Sequence, residues 1–164
     1  MLTGRLAMPS QTYRPAISSG CSDTAGFVAL EREQRRLLQG SLVVRLYGKK
    51  ALEELARVYR ECREPDWDGY GALPVTWTTY SLARRFLEGL PWVAPPPAIG
   101  AEPDGHLTLE WYRSPRRLLS VSVSPDSELH YAALLGTARH YGTEPFFDTP
   151  PEMILELIRR VMAA

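Results

Sequence analysis

Two hydrophobic periods divide this chain. From about Phe27 to Arg63 apolar residues recur at spacings of three and four, the period of an amphipathic helix. Leu52, Leu55, Val58, Tyr59 and Cys62 form one such stripe, while Gly40 and Gly48 interrupt the earlier part. Ser41 to Tyr47 reads as continued helix in preference to a short strand. A second helix is expected from an N-cap at Thr76 to about Glu88. It turns Tyr80, Ala83, Phe86, Leu87 and Leu90 to the core and ends at Gly89 and Pro91. Pro95 to Pro97 then make a stiff connector. Beyond it the period becomes two. Leu107, Leu109 and Trp111 alternate with His106, Thr108 and Glu110, and Ser120 and Ser122 alternate with Leu119, Val121 and Val123.

Turn chemistry separates these strands. Pro103-Asp104-Gly105 combines a preset φ with a residue free to take the left-handed position. Ser114-Pro115 and Pro125-Asp126-Ser127 mark the next two turns. With a first strand near Ala98 to Glu102 and a last from Glu128 to Leu135, an antiparallel meander of about four strands is expected. Thr149-Pro150-Pro151-Glu152 reads as a capping box opening a final helix with the stripe Ile154, Leu157, Ile158 and Val161. Helices before a sheet and one helix after it predict an α+β fold, with the C-terminal helix packed on one sheet face.

The segment from Trp67 to Pro74 holds two aromatics, two glycines and a proline, which describes a fixed turn. Trp67, Asp68, Gly69, Tyr70, Gly71 and Pro74 are its structural residues, with Trp67 and Tyr70 expected to anchor it on the core. Asp66 and Asp68 are read as caps for local N–H groups in preference to a metal or acid–base pair. The order Trp-Asp-Gly-Tyr-Gly-Ala-x-Pro (67–74), helix, proline-rich connector and Pro-Asp-Gly-x-x-x-Leu-Glu-Trp (103–111) resembles a family of small, uncharacterised bacterial proteins. The resemblance spans roughly residues 50–135. It implies a bacterial, cytoplasmic protein and brings no established activity or catalytic residues.

Composition narrows the function classes. The chain has 164 residues, enough for one domain with a real core, and 19 acidic residues balance 19 basic ones. No global field therefore draws it to nucleic acid or to a membrane surface. No apolar run approaches the roughly 18 residues of a membrane span. Residues 1–26 lack the apolar core of a secretory signal and read as a disordered tail, leaving 27–164 as a single α+β domain. Cys21 and Cys62 are too few for a disulfide framework or a metal knuckle, which suits a reducing cytoplasm.

The candidate chemistry is sparse. Glu110 falls opposite Leu109 and Trp111, either solvated or paired with Arg84 or Arg85 from a helix. His106, His130 and Glu110 share strand parity, an arrangement resembling a metal site, but the solvated face of a meander is the simpler account. A triad of Ser120, His130 and Glu110 lacks the strained elbow that marks a nucleophile. No phosphate loop or Cys-x-x-Cys pair is present, and no cofactor, metal or catalytic residue is expected. Arg113, Arg116 and Arg117 beside Trp111 and Tyr112 mix charge with stacking surface, as in a nucleic-acid contact. Aromatic residues at element boundaries, among them Trp77, Trp92, Phe146 and Phe147, exceed the needs of a small core. Packing of Phe146 or Phe147 onto the last helix is the simpler account of that pair. The favoured expectation is a non-catalytic interaction or regulatory protein with a protein partner or as a homo-oligomer. Its candidate contacts are Glu110, Trp111, Arg113, Arg116, Arg117, Phe146 and Phe147. The alternatives are an enzyme using Glu110 and His130, or a nucleic-acid-binding module using the three arginines.

Overall fold

The computed structural model describes residues 48–91 and 93–163. The expected tail (1–26), the amphipathic stretch from Phe27 to Tyr47 and Trp92 lie outside the described residues. Helix α1 is described over residues 48–62. Leu55, Val58 and Cys62 of the predicted stripe are buried, and Tyr59 packs beside them. Burial pushes the Cys62 thiol up from its ordinary pKa, and the neighbouring Glu61 charge adds to the effect.

Helix α2 (Trp77–Gly89) starts as expected, with Thr76 Oγ1 accepting from the Thr79 N–H at 3.1 Å. Its buried residues are Thr79, Leu82, Ala83 and Phe86, whereas Tyr80, Leu87 and Leu90 are only partly covered. The stripe is thus rotated slightly from the predicted one. Gly89 does not end the helix through a left-handed conformation. A Cβ there would stand 2.7 Å from Pro150 Cδ, so close approach of the chain leading to the last helix demands glycine.

Five strands follow, one more than the pattern predicted: β1 (Ala98–Ala101), β2 (Leu107–Ser114), β3 (Arg117–Val123), β4 (Glu128–Leu135) and β5 (Ala138–Pro145). They form one antiparallel sheet in sequential order. β5 escapes the apolar alternation because its inward positions are His140, Gly142 and Glu144. Gly142 is required there, since a Cβ would lie 2.8 Å from the Tyr131 hydroxyl. Gly136, with φ 67°, begins the two-residue turn between β4 and β5, a place that glycine suits.

The final helix, α3 (Glu152–Met162), packs on the sheet through Ile154, Leu157, Ile158 and Val161. Its predicted capping box does not form. Pro151 occupies the cap without a side-chain bond, its carbonyl accepts from Ile154 and Leu155, and Glu152 pairs with Arg159 instead. The inward residues of β2 and β3 (Leu107, Leu109, Trp111, Leu119, Val121 and Val123) join the buried helix residues in one cluster. Burying a residue such as Leu or Phe contributes about 1.5–3 kcal/mol, so this face supplies most of the cohesion. No described helix is long and apolar enough to cross a membrane.

Candidate functional site

The turn after α1 is a hydrogen-bonded knot. Asp66 Oδ1 accepts from the Gly71 N–H at 2.7 Å, and Asp68 Oδ1 accepts from Tyr70 at 2.8 Å and Ala72 at 3.1 Å. The Asp66 N–H donates to Ala72 O, and the Trp67 indole donates to Leu73 O at 3.0 Å. Both carboxylates therefore cap backbone donors, as the sequence suggests. The path needs positive φ at Asp66, Gly69 and Gly71 (61°, 75° and 88°). Trp67 packs against the core, but Tyr70 does not anchor anything: it is 94% exposed. Leu73 and Trp77, further along the chain, are 59% and 63% exposed. The Trp77 ring leans on Tyr80 and Tyr59, with centroids 5.1 and 6.0 Å away.

The two sequence motifs meet in space. The Leu73 N–H donates to Pro103 O at 2.8 Å, which locks the loop to the β1–β2 hairpin. Gly105, buried with φ 84°, lies so close that a Cβ would come within 2.9 Å of Pro74 O. The Asp104 carboxylate caps the His106 N–H at 3.1 Å, and Gly105 N–H donates to Glu102 O at 3.0 Å.

Beyond this joint the outward sheet face brings two of the three histidines together. Thr108, Ser122, His130 and Thr143 occupy one cross-strand row. The His106 and His130 rings stack at 5.9 Å with planes 13° apart. A hydrogen bond of 3.2 Å joins His106 Nδ1 to Ser122 Oγ, and one of 2.9 Å joins His130 Nδ1 to Thr143 Oγ1. Glu110 is not part of this group. It stands in the next row, opposite Ser120 and Ala98, about 13 Å along the strand from His106 at ~3.3 Å per residue. Arg84 and Arg85 do not pair with it, because Arg84 bonds Glu88 at 2.9 Å and Arg85 bonds Phe147 O at 2.7 Å. The imagined triad is only partly assembled: Ser120 opposes Glu110 on one side and Ala132 on the other, and the serine between the histidines is Ser122.

The remaining candidates are dispersed. Trp111 is buried, its indole donating to Pro95 O at 2.8 Å, and Phe146 is buried edge-on against Phe86. Neither offers a contact surface, whereas Phe147 is exposed. Arg113 and Arg116 are exposed, while Arg117 donates to Ala163 O. A continuous basic stripe would need Arg84 or Arg159 to join them, but Glu88 and Glu152 hold these two, and both guanidinium pKa values are raised accordingly. An apolar groove of about 260 Å³ between α3 and the proline connector has one charged lining group, Arg159.

Sequence reasoning overlooked Glu102, Asp104 and Glu128 as neighbours of the histidines, and the exposure of Leu73. The first two were recoverable: a tight Pro-Asp-Gly turn brings the residues that flank it together. Comparison with protein-family models, curated proteins and solved structures gave no match.

Proposed function

We propose that this protein is a non-catalytic interaction or regulatory module of the bacterial cytoplasm, acting with a protein partner. The supporting observation is the cross-linked loop from Asp66 to Pro74, which holds Tyr70 and Leu73 in solvent and leads directly into α2, whose first residue, Trp77, is also exposed. A loop already fixed in shape loses little entropy on binding, so its exposed side chains act at close to full strength. Tyr and Trp are the residues that most often dominate such contacts. Ser120 faces Glu110 across β2 and β3, but among the described residues no hydrogen bond links Ser120, Glu110 and His130 into a relay, which gives the enzyme reading no support. The local pairing of Arg84 and Arg159 does the same for a nucleic-acid stripe.

The test compares the tagged wild-type chain with a Tyr70→Ser/Trp77→Ser variant, both purified from the host in gentle salt. Tyr70 and Trp77 are mostly exposed. Loss of the Trp77 ring from Tyr59 and Tyr80 leaves the core in place, so far-ultraviolet circular dichroism should keep its helix and strand content. The wild type is expected to bring down one stoichiometric protein, or to run as a dimer. The variant is expected to lose at least tenfold in affinity, the effect of removing about 1.4 kcal/mol or more from a hot spot. A wild-type chain recovered alone and monomeric would overturn the reading.

A further inference from the structure

The hairpin that buttresses the loop carries ligand chemistry that a Tyr70–Trp77 contact does not use. Glu102, Asp104 and His106 each present one ligand atom, and the three atoms lie within 4.8 Å of one another. Around an ion with bonds of ~2.0–2.2 Å, neighbouring ligand atoms stand about 3–3.5 Å apart. Side-chain rotations that draw the ligand atoms together by up to about 1.3–1.8 Å close that difference. The backbone between them is already fixed by the Gly105–Pro74 approach and by Leu73 N–H on Pro103 O.

Imidazole chemistry sets this group apart from a merely acidic corner. The His106 side chain is only 21% exposed, and its Nδ1 lies 3.6 Å from Asp104 Oδ2. Asp104 Oδ1 is occupied by the His106 N–H, leaving Oδ2 turned to the ring. The Thr108 hydroxyl donates to Glu102 Oε1 and so orients that carboxylate, the kind of support that outer partners give to metal ligands. A second imidazole comes from a different strand: His130 stacks on His106, with its Nε2 3.9 Å from Glu128. Two carboxylates and an imidazole are a ligand set for a divalent transition-metal ion. Calcium and magnesium take oxygen ligands and gain nothing from the histidine.

We propose that Glu102, Asp104 and His106 bind one divalent transition-metal ion, zinc or manganese, with its remaining positions filled by water and His130 at its margin. The site stands independently of the partner surface, and its loss leaves that surface intact.

Calorimetric titration of the full chain with zinc sulfate at pH 7.5 tests the assignment. One ion per chain is expected, with binding at least tenfold weaker in Asp104→Asn and His106→Gln and unchanged in Glu110→Gln. Asn keeps the Oδ1 cap on His106, and Gln can still reach Ser122, so both variants should keep the fold. A second measurement needs no variant. Substoichiometric Mn²⁺ should broaden the ring-proton NMR signals of His106 and His130 before those of His140, which lies on the opposite sheet face. Absence of one-to-one binding, retention of affinity in both variants, or equal broadening of all three histidines would each overturn the proposal.

Discussion

The two faces of this sheet are built from the same strands under different rules. The inward face reads Leu107, Leu109, Trp111 on β2 and Leu119, Val121, Val123 on β3, each at most 2% exposed and covered by helices. The outward face reads Thr108, Glu110, Ser120 and Ser122, each partly buried among its cross-strand neighbours. Inward residues need only be apolar and of fitting volume, so many arrangements serve. Outward residues acquire meaning only from which strand neighbour they face. One face therefore concentrates stability and the other concentrates chemistry.

The largest expected effect tests the inward side. Leu109 is wholly buried between its strand neighbours Ile99 and Val121. Leu109→Ala removes that volume from a packed cluster and should cost ~2–5 kcal/mol, read from urea or guanidinium unfolding. A cost under about 1 kcal/mol would mean that the face is loosely packed and that the contrast with its outer side is false.

The contrast also explains what was legible in the chain. Alternation of apolar and polar residues is a local signal, so β2, β3 and the stripes of α1 and α3 could be read directly, as could the Thr76 cap and the Asp66 and Asp68 turn. The α2 stripe, by contrast, sits slightly rotated from its predicted position. β5 was not legible because an edge strand whose inward positions are His140, Gly142 and Glu144 carries no apolar rhythm. The pairing of His106 with His130 depends on Ser122 standing opposite His130, a register that parity does not supply. Parity correctly placed Glu110 on the same face, but not in the same row. The Thr149–Glu152 box failed for a different reason. Pro151 itself takes the cap, and Arg159 draws the Glu152 carboxylate away from the backbone.

Between the faces lies the joint at Gly105, where an intermediate effect is expected. Gly105→Ala places a side chain on a backbone with φ 84° and a Cβ 2.9 Å from Pro74 O, so both torsion and contact oppose it. A loss of ~1–3 kcal/mol should accompany faster hydrogen exchange at the Leu73 amide, whose acceptor is Pro103 O. Stability lost without faster exchange at Leu73 would show that the strain spreads through the sheet. The loop and hairpin would then not be coupled as their contacts imply.

The smallest effect belongs to the outward face, at the residue next to Leu109. Glu110 is half-buried, stands opposite Ser120 and Ala98, and makes no ion pair among the described residues. A carboxylate left to the solvent in this way contributes little to folding, because its hydration is nearly the same in the unfolded chain. Glu110→Gln keeps shape and polarity while removing the charge, and should change stability by no more than about 0.5 kcal/mol. Two neighbours on one strand would then differ severalfold in cost for a reason visible only across the sheet. If Glu110→Gln instead costs more than about 1.5 kcal/mol, the charge is held by a partner group on that face. The outward side would then be a structural surface like the inward one, and the division drawn between them would fail.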